Sequence, residues 1–119
     1  GFHQKINCKL AVEACKEILN LSKNGETIPQ NIIDGIINVD WPGRCQKIVK
    51  ENIAYYLDGS HTPLSVEACI KWFEGEITNL TNSDSKLVLI FNCTGERNYQ
   101  QLLNTILSNL RFDDILFVP

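Results

Sequence analysis

Residues 86–92 read KLVLIFN, a nearly continuous apolar run between polar neighbours. A strand that is buried on both faces of a parallel sheet has this composition. Apolar residues at helical spacing follow between residues 98 and 110, and a further apolar stretch occupies residues 115–118. Strand, helix and strand in this order predict a parallel pair of strands joined by a right-handed crossover.

The same alternation begins upstream of that run. Residues 45–50 have the composition of a short strand, and residues 53–57 predict a second strand that ends at Asp58–Gly59. Thr62–Pro63 then supplies an N-cap and a first-turn proline for an amphipathic helix whose apolar positions extend to Leu80. A loop over residues 82–85 follows. The sequence therefore predicts an α/β fold with a mainly parallel sheet covered by helices.

The first third of the chain has a different character. Apolar residues at three-and-four spacing over residues 4–22 predict an amphipathic helix, and Asn24–Gly25 is typical of a helix exit. A short apolar patch predicts one or two helical turns starting near Pro29, and the Pro42–Gly43 pair then forces a turn. We expect a boundary between two parts of the chain in this region.

Composition excludes several classes of protein. The 119 residues are 44% hydrophobic and 21% charged, with a formal net charge of −3, so neither intrinsic disorder nor a nucleic-acid partner is expected. The longest apolar run, residues 87–91, is far shorter than the roughly 20 residues of a membrane span. Five cysteines without a C-x-x-C pair indicate reduced core residues in an intracellular protein. The start at Gly1 and the stop at Pro119, just after an apolar stretch, suggest a segment of a longer protein.

The segment Asp58-Gly59-Ser60-His61-Thr62 is the first candidate for chemistry, because ligands of parallel sheets collect beyond the carboxyl ends of the strands. It combines a carboxylate, a glycine that permits close backbone approach and an imidazole, next to a helix N-terminus that favours anions. The alternative is a plain turn in which Asp58 and Thr62 cap the helix and His61 is a surface residue.

Two further segments stand out. Arg44 follows the Pro42–Gly43 turn and can offer a rigid fork of donors to a phosphate, although a solvated surface arginine is the alternative. Residues 92–97 (NCTGER) also follow a strand; their alternative role is a strand-to-helix turn capped by Asn98. The chain contains neither a G-x-x-x-x-G-K-[ST] phosphate loop nor a G-x-G-x-x-G fingerprint. We expect no metal site, since its two histidines, His3 and His61, lie in different elements.

Taken together, these segments resemble the folylpolyglutamate synthases of the Mur ligase superfamily. The resemblance rests on WPGRCQ at residues 41–46, on YLDGSHTP at residues 56–63 and on FNCTGER at residues 91–97, with further likeness at GFHQ in residues 1–4. It implies a terminal helix of a central ATP-binding domain over residues 1–24, a connecting segment over 25–38, and a Rossmann-like C-terminal domain over 39–119 whose last strands are absent.

The resemblance also implies an activity. Enzymes of this family use ATP and Mg²⁺ to phosphorylate the γ-carboxyl of a folate polyglutamate, and the amino group of L-glutamate then attacks the acyl phosphate. The phosphate loop and magnesium ligands are expected in the rest of the same polypeptide, so the segment alone is expected to be inactive. The expected compartment is the cytoplasm, the mitochondrion or both.

The resemblance assigns roles to individual residues. Arg44 and Asp58 match positions that contact ATP, and His61 matches a catalytic histidine near the acyl phosphate and the incoming glutamate. Ser60, which stands where alanine is commoner, and Thr62 are expected close to the glutamate or the nucleotide. A dihydrofolate synthase of the same family and a non-catalytic interaction module with this fold are the alternatives.

Overall fold

The computed structural model describes residues 2–21, 27–78 and 85–119, which form four helices and four strands. In chain order these are α1 (Phe2–Ile18), α2 (Gln30–Ile37), β1 (Gln46–Lys50), β2 (Ile53–Leu57), α3 (Pro63–Ile77), β3 (Val88–Phe91), α4 (Tyr99–Asn109) and β4 (Asp114–Phe117). The predicted helix exit at Asn24–Gly25, the apolar position Leu80 and the predicted loop at residues 82–84 lie outside the described residues.

The chain divides into two compact units, of which the first ends at Trp41 and the second begins at Pro42. The first unit contains both helices predicted there. α1 ends at Ile18, and α2 begins directly after Pro29, which occupies its N-cap position. The apolar positions of α1 stay accessible, since Leu10 is 71% exposed.

In the second unit, β1 and β2 pair antiparallel, with Gln46 opposite Leu57 and Lys50 opposite Ile53. Only Glu51 and Asn52 connect the two strands, and Glu51 adopts a φ of 55°. A parallel pair needs a crossover of about a dozen residues, so a connection this short permits only an antiparallel hairpin. Both predicted strands are confirmed, but their pairing follows from the turn and not from the alternation of elements.

β3 and β4 form the predicted parallel pair, with Val88 beside Asp114 and Phe91 beside Phe117. α4 is the connection between them. The described residues thus contain two two-stranded sheets, one antiparallel and one parallel. The fold is mixed α/β, and a single, mainly parallel sheet is not confirmed.

The prediction that β3 is buried on both faces is wrong. Val88 is 48% exposed and Ile90 is 61% exposed, whereas Leu89 and Phe91 are half-buried. Successive residues of a strand point to opposite faces, so one face of β3 is covered and the other is open. The apolar composition of β3 would allow both of its faces to be buried. Burial of the second face, however, needs another layer of the fold to pack on it.

The core of the second unit lies between α3 and α4. Val66 and Ile70 of α3 are buried with Leu102 of α4 and with Leu110, and Phe91 of β3 packs against this cluster. Full burial of an apolar side chain of this size stabilises a fold by roughly 1.5–3 kcal/mol. The cluster therefore accounts for the docking of α3 on α4.

Tyr56 attaches the hairpin to α3. Its ring makes edge contacts with Trp72 and Phe73, at centroid distances of 5.9 and 5.0 Å. Lys47 of β1 adds an ion pair of 2.9 Å with Glu76 of α3. These contacts place the end of β2, from which the loop at residues 58–62 continues, against α3.

The five cysteines are free and each is only partly buried. Cys93 packs against the core cluster of the second unit. No helix in the described part of the chain has the length and apolar character needed to cross a bilayer.

Candidate functional site

The turn before β1 adopts a tight conformation. Gly43 has a φ of 74° and Cys45 a φ of 45°, both in the left-handed region. Glycine enters this region without steric cost, whereas a residue with a side chain enters it at a cost of roughly 1–2 kcal/mol. The Gly43 N–H donates to Oε1 of Gln46 at 2.9 Å, and this hydrogen bond links the turn to the first residue of β1.

The carboxylate of Asp58 connects this turn to the loop before α3. Its Oδ2 accepts a hydrogen bond from the Cys45 N–H at 2.8 Å, and its Oδ1 accepts one from the Ser60 N–H at 2.8 Å. The first bond helps Cys45 to hold its left-handed conformation, and the second shapes the loop around Gly59. Two segments selected separately from the sequence are therefore brought together, and Asp58 does not cap α3.

A backbone hydrogen bond reinforces the connection, since the Gly59 N–H donates to the Gly43 carbonyl at 2.8 Å. Arg44 lies over Gly59. A Cβ at Gly59 would overlap Nη1 of Arg44 and would come within 3.2 Å of its Cζ. The guanidinium thus occupies space that only a glycine leaves open, while Arg44 as a whole stays exposed.

His61 is exposed and held by the same loop. Its Nδ1 lies 2.9 Å from the Gly59 carbonyl oxygen. A carbonyl can only accept, so Nδ1 carries the proton in this bond and the neutral ring keeps its lone pair on Nε2. The geometry leaves Nε2 as the atom that can accept a proton.

Thr62 forms a capping box with Ser65 at the start of α3. The Ser65 N–H donates to Oγ1 of Thr62 at 3.3 Å, and Oγ of Ser65 accepts from the N–H groups of Thr62 and His61 at 2.9 and 3.0 Å. Thr62 therefore caps α3, as the alternative interpretation of this segment predicted. Ser65 was not predicted from the sequence, because the usual capping-box signature has glutamate or glutamine at this position.

Cys45 and Cys69 both lie close to Asp58. Burial, followed by the negative charge of Asp58, raises the pKa of Cys45. The same two causes raise the pKa of Cys69 to about 11, and a hydrogen bond from Ser60 to Cys69 opposes the change. Ser60 is half-buried beside this thiol. Neither cysteine has the lowered pKa of a nucleophile.

Residues 92–97 form a separate turn. The Asn92 side chain donates to the Val118 carbonyl at 2.9 Å, Gly95 has a φ of 77°, and Asn98 caps α4 by accepting from the Gln101 N–H at 3.0 Å. Arg97 donates to Oγ1 of Thr94 at 3.5 Å. The geometry therefore supports the capping role predicted for Asn98. Within the described residues, no hydrogen bond or ion pair joins this turn to Asp58.

The described residues bring together no group of three His, Cys, Asp or Glu side chains suited to a metal ion. Asp58, the acidic residue of the site, already accepts two backbone hydrogen bonds. A divalent cation needs several oxygen ligands, so this part of the chain does not fit a magnesium centre of its own.

Comparison with known proteins identifies the family. The chain is 32% identical over 142 residues to the folylpolyglutamate synthase of Candida albicans, and 34% identical over 130 residues to that of Saccharomyces cerevisiae (strain AWRI796); each alignment covers 98% of the chain. The chain belongs to the folylpolyglutamate synthase family. A Caenorhabditis elegans protein that carries the same name provisionally is 41% identical over 80 residues, or 66% of the chain.

The chain spans only part of these folylpolyglutamate synthases, namely 27% of the Candida, 23% of the Saccharomyces and 16% of the Caenorhabditis protein. No family model matches the chain, and no solved structure matches it. The family resemblance read from the sequence is confirmed by the relatives alone.

Proposed function

We propose that this chain is the C-terminal portion of an ATP-dependent folylpolyglutamate synthase, a ligase that adds L-glutamate to the γ-carboxyl of folate polyglutamates. The observation that carries the proposal is the Asp58 carboxylate, which joins the Arg44 turn to the His61 loop by accepting from the Cys45 N–H at 2.8 Å and shapes that loop by accepting from the Ser60 N–H at 2.8 Å. Relatives named folylpolyglutamate synthase align with nearly the whole chain, which supports this activity for the full-length protein.

Arg44 and Asp58 meet the nucleotide in this proposal. The exposed guanidinium of Arg44 donates to phosphate oxygens of ATP, for which its planar fork is suited. Each oxygen of Asp58 accepts one backbone N–H, and a carboxylate oxygen has room for a second donor. An oxygen of Asp58 therefore also accepts a hydrogen bond from a ribose hydroxyl of ATP.

His61 serves the ligation step. ATP phosphorylates the γ-carboxyl, the glutamate amino group attacks the acyl phosphate, and ADP and phosphate leave. The attacking nitrogen must lose a proton, and Nε2 of His61 can take it because Nδ1 is engaged with Gly59. Ser60 and Thr62 shape the loop beside this group, close to the glutamate or the nucleotide.

The remainder of the site belongs to other parts of the polypeptide in this proposal. Residues 1–24 are the terminal helix of a central ATP-binding domain, residues 25–38 connect the domains, and residues 39–119 form most of a Rossmann-like domain. The central domain supplies the phosphate loop and the Mg²⁺ ligands, and domain closure brings Arg44 onto the bound ATP. Additional strands complete the parallel sheet. The enzyme works in the cytoplasm, the mitochondrion or both, and the 119 residues alone are inactive.

The proposal is tested by ADP release from the full-length protein with tetrahydrofolate and L-glutamate. Arg44→Ala is expected to raise the KM for ATP about tenfold, the loss that corresponds to roughly 1.4 kcal/mol from one charge-assisted contact. Arg111→Ala removes another exposed arginine of the same unit and should leave the KM unchanged. His61→Ala should lower kcat with little change in that KM.

Two results would refute this assignment. Unchanged kinetics in both Arg44→Ala and His61→Ala would show that the loop pair does not serve the ligation. A wild-type protein that uses dihydropteroate in place of tetrahydrofolate would be a dihydrofolate synthase.

A further inference from the structure

We propose that Gly59 is a positioning residue for Arg44: the space left by its missing side chain sets where the Arg44 guanidinium meets the phosphates of ATP. The inference rests on the function proposed for Arg44. It adds a residue that does not itself touch the nucleotide and that acts only through another side chain.

The steric argument concerns a single contact. A Cβ built on Gly59 would overlap Nη1 of Arg44, with Cζ of the same guanidinium at 3.2 Å and the Gly43 carbonyl oxygen at 3.6 Å. The Gly43 oxygen is at an ordinary contact distance, so the conflict is with the guanidinium alone. Any side chain at this position must move the end of Arg44.

The backbone at Gly59 does not require a glycine. Positive φ angles among the described glycines occur at Gly43 and Gly95, with values of 74° and 77°, and not at Gly59. An alanine at Gly59 therefore carries no left-handed strain. The hydrogen bond from the Gly59 N–H to Gly43 uses backbone atoms and survives the substitution.

These facts separate the position of Arg44 from the stability of the loop. Arg44 is exposed, and its long side chain can rotate the guanidinium away at small energetic cost when a methyl group appears beneath it. Asp58 keeps both of its bonds, to Cys45 and to Ser60, because neither involves the side chain of Gly59 or Arg44. Gly59→Ala should thus leave the loops folded and displace one functional group.

The test is a double-mutant cycle in the full-length protein, read as the KM for ATP and as kcat in glutamate-dependent ADP release. Gly59→Ala is expected to raise the KM for ATP about three- to tenfold, up to the effect of Arg44→Ala, with kcat changing less. In an Arg44→Ala background, Gly59→Ala should add nothing, because the group on which it acts is gone.

Gly75→Ala is the matched control. Gly75 lies inside α3, and a Cβ there meets nothing within 4 Å. Both glycines thus acquire the same methyl group in the same unit, and only the one at residue 59 meets Arg44. The control should leave the KM for ATP unchanged.

The outcomes separate this inference from the function on which it rests. Multiplicative effects of Gly59→Ala and Arg44→Ala would mean that Gly59 acts on loop structure and would overturn the inference. A silent Gly59→Ala beside an impaired Arg44→Ala would overturn it as well, and the proposed function would stand. A silent Arg44→Ala would overturn the inference together with the nucleotide role proposed for Arg44, whereas the ligase function would then be decided by His61→Ala.

Discussion

Replacing Asp58 with asparagine breaks one of the two hydrogen bonds that its carboxylate accepts, one from the Cys45 turn and one from Ser60 in the loop before α3. The two oxygens of Asp58 each accept a backbone N–H at 2.8 Å, one from Cys45 and one from Ser60. An asparagine side chain has one carbonyl oxygen, and its amide group is a donor that cannot accept from an N–H. Whichever way the amide turns, one backbone N–H faces another donor.

The magnitude follows from the charge and the burial. A hydrogen bond to a charged group contributes roughly 1.5–3 kcal/mol, and the half-buried position of Asp58 favours the lower end of that range. We expect Asp58→Asn to lower the free energy of unfolding by about 1.5 kcal/mol, or about tenfold in the folding equilibrium.

Urea unfolding of the 119-residue chain, followed by tryptophan fluorescence in a Trp41→Phe background, measures this loss. Trp72 then reports on the unit that contains Asp58, because it packs against Tyr56. Glu67→Gln is the control, since Glu67 is an exposed carboxylate of α3 in the same unit. Its effect should stay within about 0.5 kcal/mol.

A second measurement checks the same contact. The charge of Asp58 contributes to the raised pKa of both Cys45 and Cys69, so Asp58→Asn should lower the pKa of each thiol. An unchanged urea midpoint together with unchanged thiol titrations would refute the placement of Asp58 between the two loops.

Two further predictions concern the start of α3 and the thiol behind it. Thr62→Ala removes the N-cap acceptor of Ser65 and should cost about 1 kcal/mol of unfolding free energy in urea; an unchanged midpoint would contradict the capping box. The pKa of about 11 at Cys69, against an ordinary 9.0, should slow its alkylation near pH 8 about 100-fold relative to the urea-unfolded chain. Because the unfolded thiol releases its proton first, Cys69 should also reduce stability as pH rises from 9 towards 11; equal alkylation rates would contradict the shift.

Local features of the structure were predictable from the sequence because neighbouring residues determine them. The Thr62–Pro63 start of α3, the Asn98 cap of α4 and the strand at residues 53–57 each depend on side chains and backbone within a few positions. The parallel pairing of β3 with β4 followed from the helical crossover between them. The family was predictable from short motifs, and relatives that align with 98% of the chain confirm it.

Other features depend on contacts between distant residues, and local patterns carry no information on them. One face of β3 is open because no layer covers it among the described residues. The antiparallel pairing of β2 with β1, in contrast, is local, since only Glu51 and Asn52 connect the two strands. Periodicity predicts that a strand exists, but the partner and the covering layer are set by the hydrogen bonds and packing of other elements.

The candidate site shows the same division. Asp58, Arg44 and His61 were selected from the sequence, since their residue types and the glycines beside them suit phosphate and proton chemistry. Only the folded chain showed that Asp58 bonds Cys45, thirteen positions away, and that Arg44 occupies the space above Gly59. Residue type determines what a side chain can bind, whereas its position depends on which loops the core brings together; here the packing of Tyr56 on α3 holds the end of β2, and with it Asp58, in place.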